Sequence, residues 1–244
     1  MKLENKTAII TGASTGIGRA IAIKFASEGA KTILIARSKD GLEETLKIVK
    51  QAGGEGILFC LDLRSVDEIK KFAKQIKESE KEIDILVNVA GVWHSKDKAY
   101  SGIDFAHYST DEILDTYAVG LTAPTILSHE LIPLMRKGGK VINISGTFEN
   151  GAKGWLPYFV SKKAIEDLTL GLSQEFRDQQ IQVNCISPSD VATEEYKKYF
   201  PEFATAENAL QPEDVADLAL FLASRGSDHI TGQVIEIKQR NVKN

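Results

Sequence analysis

Tyr158 and Lys162 stand four residues apart in Tyr158-Phe159-Val160-Ser161-Lys162, at the start of an amphipathic run that reaches Phe176. A helix beginning near Pro157 puts both side chains on one face at its N-terminal end. An ammonium beside a phenol, with the positive end of a helix, stabilises phenolate and is expected to lower the tyrosine pKa from its reference of ~10. A tyrosine so tuned exchanges a proton with an alcohol or carbonyl oxygen near neutral pH. By itself the Tyr-x-x-x-Lys spacing is common by chance and more often describes a surface pair.

A second constellation is Thr11-Gly12-Ala13-Ser14-Thr15-Gly16-Ile17-Gly18-Arg19, between a short β-rich run and a helical pattern. Glycines permit a tight turn and the close approach of backbone to a pyrophosphate, and the free N–H groups of the following helix favour the anion. Gly12, Ser14, Thr15, Gly16, Ile17 and Gly18 are therefore candidate dinucleotide-binding residues. Gly12-Ala-Ser14-Thr-Gly16 also fits the nucleophile elbow of serine hydrolases. That architecture needs an oxyanion loop from an earlier βα unit, and only about ten residues precede Gly12, too few to build one.

These residues need a scaffold. Candidate strands are 7–10, 31–35, 56–61, 83–87, 140–144, 182–186 and 233–237. Helical spacing joins Ile17/Ile21/Phe25, Leu42/Leu46/Val49, Ile69/Phe72/Ala73/Ile76, Ile165/Leu168/Leu172/Phe176 and Val215/Leu218/Ala219/Leu222. The alternation predicts a single α/β domain over 1–244, a doubly wound parallel sheet of about seven strands with helices on both faces. The charge-dense run 70–82 reads as the solvated face of one helix. Two connections, 92–110 and 189–212, exceed the ~2–6 residues usual after a strand and are the expected walls of a substrate pocket. They hold many of the aromatics: Trp93, Tyr100, Phe105 and Tyr108 in the first, and Tyr196, Tyr199, Phe200 and Phe203 in the second. If some of these, or Trp155, line the pocket, the substrate has an apolar body.

Composition excludes several classes. The 244 residues are 43% hydrophobic and 26% charged, with 30 Lys+Arg against 34 Asp+Glu, a net charge of −4. A core of ordinary size is available, and no basic stripe supports nucleic-acid or anionic-membrane binding. No apolar run reaches the ~18 residues of a membrane span. Cys60 and Cys185 lie in apolar runs and read as small buried hydrophobes, and the four histidines lack metal-ligand pairing, so no metal site is expected. The expected compartment is the reducing cytoplasm.

Together these motifs resemble the classical short-chain dehydrogenases/reductases over nearly the whole chain. Thr11–Gly18 resembles the family's glycine turn, Asp62-Leu63 its adenine-contacting acid, and Asn88-Val89-Ala90-Gly91 its N-N-A-G motif. Tyr158/Lys162 resemble its Y-x-x-x-K pair, Val183-Asn184 and Ile186-Ser187-Pro188 its V-N-x-I-x-P-G segment, and Thr193 its threonine near the nicotinamide amide. The resemblance implies a Rossmann-type fold and hydride transfer between NAD(P)(H) and a carbonyl or secondary alcohol. It makes Tyr158 the general acid of reduction and Lys162 its partner on the nicotinamide ribose. It adds Asp62, Leu63, Asn88, Ala90, Gly91, Pro188, Val191 and Thr193 to the cofactor-binding residues. It also implies a homodimer or homotetramer, built through helices near 111–136 and 158–178.

Departures from the pattern qualify that expectation. Gly120 stands where the family usually has an asparagine that anchors a water in the proton relay. Ile144-Ser145-Gly146-Thr147 lacks the usual second, catalytic serine. Counting along the strand puts Gly146 in its place, counting back from Tyr158 gives Ser145, and Ser145 is taken here with Thr147 as substitute. Ser189 replaces the glycine after Pro188, and Ile237-Lys238-Gln239-Arg240 replaces the usual D-G-G. A nucleotide-binding sensor or scaffold with weakened catalysis is the alternative. The acid that NAD-binding relatives carry after the second strand is replaced by Ala36, followed by Arg37 and Ser38. This predicts NADP(H), with NAD(H) possible as the weaker cofactor; Thr15 stands where many NADP-binding relatives carry a further basic residue.

Overall fold

A computed structural model of the protein describes residues 1–148, 151–205 and 207–239; Arg240, where the C-terminal departure was read, lies outside them. Seven parallel strands, β1 (Thr7–Thr11), β2 (Lys31–Ala36), β3 (Glu55–Cys60), β4 (Ile83–Asn88), β5 (Met135–Ile144), β6 (Gln182–Pro188) and β7 (Val234–Ile237), form one sheet in the order 3-2-1-4-5-6-7. Consecutive apolar residues point to opposite faces, as the period of two requires. Ile10, Leu34 and Val87 join the core on one side, and Ile9, Ile33 and Leu86 the core on the other.

The first core is closed by α1 (Gly16–Ser27), α2 (Lys39–Gln51) and α8 (Pro212–Ala223) through Ile21, Phe25, Leu42, Val215 and Leu222. The second is closed by α3 (Val66–Ser79) and α5 (Ala123–Leu131) through Ile69, Phe72, Ile76, Leu127 and Leu131. Each such side chain, fully buried, contributes about 1.5–3 kcal/mol. Serines start helices where the pattern turns apolar: Ser38 Oγ accepts from Gly41 N at 3.1 Å, and Ser65 Oγ from Glu68 N at 3.3 Å. Ser109 and Glu112 form a reciprocal capping box on α4 (Thr110–Tyr117).

Several expectations shift. Most strands extend to or past the apparent loop start, because the neighbouring strand offers hydrogen bonds there: Ala36 pairs with Cys60 and Asn88 with Asn143. Cys60 is exposed, not buried, because β3 is a sheet edge; its Sγ donates to the Arg37 carbonyl oxygen at 3.1 Å. Cys185, on the inner strand β6, is buried. The leucine stripe read in α6 (Leu156–Glu175) is only partly covered. The face that α6 buries holds Ser161, Lys162, Ile165, Thr169 and Ser173.

The β1–β4 junction is where the strand order reverses, the place for a ligand in such sheets. Both long connections rise above this end. The first contains a short 3-10 turn, Phe105–His107, and the second is not wholly irregular, since it carries α7 (Glu194–Tyr199). Tyr199 Oη donates to the Ser95 carbonyl oxygen at 3.0 Å, and Lys198 Nζ to that of Lys96 at 2.8 Å, tying the two walls together.

Candidate active site

A cleft of about 770 Å³ runs across the carboxyl ends of the strands, from Ala36 and Arg37 at one end to Trp155 and Phe200 at the other. Its middle is the glycine turn. Gly12 and Gly16 have φ of 65° and 53°, left-handed conformations that side chains resist. A Cβ on Gly18 would lie 2.2 Å from the Gly12 carbonyl oxygen, so only glycine fits there. Thr11 Oγ1 accepts from Val89 N at 2.9 Å and Ala90 N at 3.1 Å, which locks the turn to the end of β4. The N-cap of α1, Thr15, makes no side-chain capping bond, so the first-turn N–H groups have no side-chain acceptor there and suit a phosphate. Thr15 Oγ1 instead donates to Glu194 Oε2 at 3.3 Å, and a Cβ on Gly16 would touch Thr193 Cγ2 at 2.9 Å. The second wall therefore rests on the turn, and the residues present fit a dinucleotide.

At the adenosine end, Ala36, Arg37, Ser38, Leu61, Asp62 and Leu63 line the cleft. Arg37 is exposed. Arg64 grips the Asp62 carboxylate with Nη2 at 2.6 Å and Nε at 2.9 Å, and holds its pKa below the usual carboxylate value. Pro188, Val191 and Thr193 line the opposite wall.

Asn88 is the exception among the expected cofactor-binding residues. It does not line the cleft: its Nδ2 donates to Asn143 Oδ1 at 2.9 Å, and Asn143 Nδ2 donates to Thr169 Oγ1 at 2.9 Å. As the last residue of β4 it points under α6 and ties β4, β5 and α6 together, while Ala90 and Gly91 two and three residues on reach the cleft.

Pro157 lies in the first turn of α6, as expected, and Tyr158, Lys162 and Ser145 all line the cleft. Lys162 is buried, with Nζ donating to the Ile144 carbonyl oxygen at 2.8 Å and standing 5.3 Å from the Tyr158 ring centroid. Desolvation brings its pKa down to about 8. The expectation for Tyr158 is corrected here: the side chain is half-buried in the cleft wall, and desolvation pushes the phenol pKa up, not down. A Cβ at Gly91 would lie 3.3 Å from Lys162 Nζ, so a side chain there would press on the lysine head.

Ser145 Oγ is buried and meets no oxygen or nitrogen partner; it faces the Cys185 thiol, whose pKa it lowers by hydrogen bonding while burial, the larger cause, raises it. A thiol is a weak acceptor, so a serine hydroxyl in a cleft wall with only a thiol beside it is a donor that a ligand oxygen would recruit. Gly120 sits in a π-helical turn, Ala118–Thr122, where a Cβ would come 2.9 Å from Ser161 Oγ. A side chain there would have to displace that serine.

The substrate end is aromatic. Trp93, His94, Phe148, Trp155, Tyr196, Phe200 and Phe203 line it. Phe148, Gly151 and Lys153 escaped the sequence reading; the only signal was their position after the end of β5, the side on which these sheets bind ligands. His94 Nδ1 lies 2.7 Å from the Ser95 carbonyl oxygen, a local bond consistent with a pocket-wall residue. Tyr100 and Tyr108 are buried and hold the first wall, Tyr108 Oη donating to the Tyr100 and Gly154 carbonyl oxygens at 3.0 Å each. Among the described residues, no cluster of side chains suits a metal ion and no helix is long and apolar enough to cross a membrane.

Comparison with known proteins agrees with this geometry. The sequence matches the short chain dehydrogenase family over residues 6–202. It is 38% identical to the uncharacterized oxidoreductase YxbG of Bacillus subtilis (strain 168), over 96% of this chain and 90% of that one. Among solved structures, a promiscuous reductase, LugOII, described as catalysing keto-reduction at C1 during lugdunomycin biosynthesis, superposes with a TM-score of 0.88 at 28% identity, covering 99% of this chain and 100% of that one. A Beutenbergia cavernae protein described as an NAD(P) dependent gluconate 5-dehydrogenase, whose crystal structure holds NADP at low occupancy, has a TM-score of 0.88 at 26% identity, covering 100% of this chain and 99% of that one. By this family match, the relatives' identity and the shared fold, the chain belongs to the short-chain dehydrogenase/reductase family of NAD(P)-dependent oxidoreductases.

Proposed function

We propose that the protein interconverts a carbonyl and a secondary alcohol using NADP(H), and works as a reductase near neutral pH. The observation that carries this reading is the convergence of Tyr158, Lys162 and the Ser145 hydroxyl on the cleft wall, beside the glycine turn. When bound, the nicotinamide supplies the hydride.

In this reading Tyr158 is the proton donor. Burial holds its phenol protonated at neutral pH, the form that gives a proton to a carbonyl oxygen. Ser145 Oγ donates a hydrogen bond to the same oxygen and stabilises charge developing there, with Thr147 as the next hydroxyl along the wall. Lys162, anchored to the Ile144 carbonyl oxygen, keeps a positive charge beside the ring as the phenol proton departs. Gly12, Ser14, Thr15, Gly16, Ile17 and Gly18 hold the pyrophosphate, and Asp62, Leu63, Ala90, Gly91, Pro188, Val191 and Thr193 frame the remaining cofactor. The absence of a carboxylate at Ala36 and the exposed Arg37 beside it support NADP(H).

Tyr158→Phe tests the assignment. The variant should bind NADPH as the parent does, by fluorescence titration, and lose turnover by about 10²–10⁴-fold. Undiminished turnover would discard the assignment, and absence of turnover by the parent across a broad panel of carbonyls and alcohols would favour the sensor reading.

A further inference from the structure

We infer that the substrate is an uncharged ketone or alcohol carried on an apolar ring system, and not a sugar acid or another anionic keto acid; this rests on the carbonyl–alcohol reading above. Trp93, Phe148, Trp155, Tyr196 and Phe200 form one connected wall that reaches Tyr158. Trp93 lies 6.5 Å from Trp155 and 6.1 Å from Phe200, and Trp155 lies 5.9 Å from Phe200, centroid to centroid. Trp155 and Phe148 in turn stand 6.1 Å and 5.9 Å from the Tyr158 ring. Rings at these separations interact favourably with one another and with any further ring placed against them.

Two more features select a ring and neutrality. At Gly146 a Cβ would make ordinary contacts, 3.9 Å from the Pro188 carbonyl oxygen and 4.0 Å from the Phe148 ring, so glycine there keeps the wall beside Ser145 flat for a ring to lie against. Recognition of a carboxylate calls for a cationic side chain, ideally a bidentate arginine. Among the described residues, the cations on the cleft wall are Arg37 at the adenosine end, Lys162 bonded to backbone, and Lys153, exposed to solvent at the rim of the substrate end. Against them, Asp190 places negative charge in the second wall beside Tyr196 and, after burial, the larger cause, raises the Tyr196 phenol pKa. An anionic substrate would meet repulsion there. The aromatic wall is also held in place: Trp93 packs 5.8 Å from Tyr199, whose hydroxyl bonds to the facing loop, so little ordering remains to oppose binding.

The chain has two tryptophans, Trp93 and Trp155, and both line this wall, so intrinsic fluorescence reports occupancy without turnover. The test uses 1-decalone, a neutral bicyclic ketone, against 5-keto-D-gluconate, with protein saturated with NADP⁺ for binding and with NADPH for turnover. Decalone should shift tryptophan emission to the blue and be reduced with kcat/KM at least about 100-fold above the keto acid. Phe200→Ala and Trp155→Phe should each raise the decalone KM about tenfold while the NADPH Kd stays as it is, a loss of the size expected for one aromatic contact plus its buried area. Faster reduction of the keto acid, or unchanged KM in both variants, overturns the inference and leaves the carbonyl–alcohol reading intact. A blue shift without reduction of either compound upholds the apolar pocket and sinks the catalytic reading instead. Neither shift nor reduction overturns the inference.

Discussion

Lys162 Nζ donates a 2.8 Å hydrogen bond to the carbonyl oxygen of Ile144, the last residue of β5, and so ties α6 to the strand end that leads into Ser145. That bond satisfies one of three ammonium donors in a buried site, and desolvation still lowers the lysine pKa from 10.5 to about 8.

A pH-dependent stability follows. The unfolded chain keeps the lysine proton up to about 10.5, the folded chain only to about 8, so between these values unfolding takes up a proton and stability rises with pH. Below that window the buried charge costs on the order of 3 kcal/mol. Lys162→Met should therefore gain more in melting temperature over the parent near neutral pH than at about pH 10. Equal differences at the two pH values, by calorimetry, would show that the lysine titrates normally. In the parent, reductase turnover should fall as pH rises through about 8, since the charge that steadies the phenolate is then lost.

Ser145 and Thr147 are separable. Ser145→Ala removes the hydroxyl donor and should lower kcat about 10²–10³-fold, the loss typical of one oxyanion-stabilising donor, with NADPH binding unchanged. Thr147→Ala should cost less than tenfold. The opposite ranking in steady-state kinetics would move the role to Thr147.

Cofactor choice rests on Ala36 and Arg37. A charge-assisted hydrogen bond is worth about 1.5–3 kcal/mol, so NADPH should bind roughly 10- to 150-fold more tightly than NADH. Ala36→Asp with Arg37→Ala should invert the order, because the new carboxylate accepts from ribose hydroxyls and repels a 2′-phosphate. Equal or tighter NADH binding by the parent, titrated by fluorescence at fixed ionic strength, would refute the preference.

Assembly is expected through α4 and α6. Leu114, Val160 and Leu170 are exposed on these helices, apolar surface that a partner subunit would cover. Light scattering should give a dimer or tetramer at micromolar concentration, and Leu114→Glu with Leu170→Glu should reduce it to monomer without loss of secondary structure by circular dichroism. A monomeric parent would refute this.

Periodicity and punctuation along the chain determine the architecture. Alternating apolar pairs such as Ile9/Ile10 and Ile33/Leu34 demand a sheet covered on both faces, and the glycines at 12, 16 and 18 demand a turn whose backbone comes close to itself and to β4. Spacing alone sets Tyr158 and Lys162 one helical turn apart. Tertiary structure decides their energetics: whether an ammonium lowers a phenol pKa depends on how much water both have lost, and here desolvation prevails. It also decides the direction of Asn88, whose place at a strand end sends it beneath α6 instead of into the cleft, and the exposure of Cys60, which follows from β3 lying at the sheet edge. The aromatic wall belongs to the same class. Trp93, Phe148, Trp155 and Phe200 come from three separate loops, and long-range contacts between loops leave no period in a sequence.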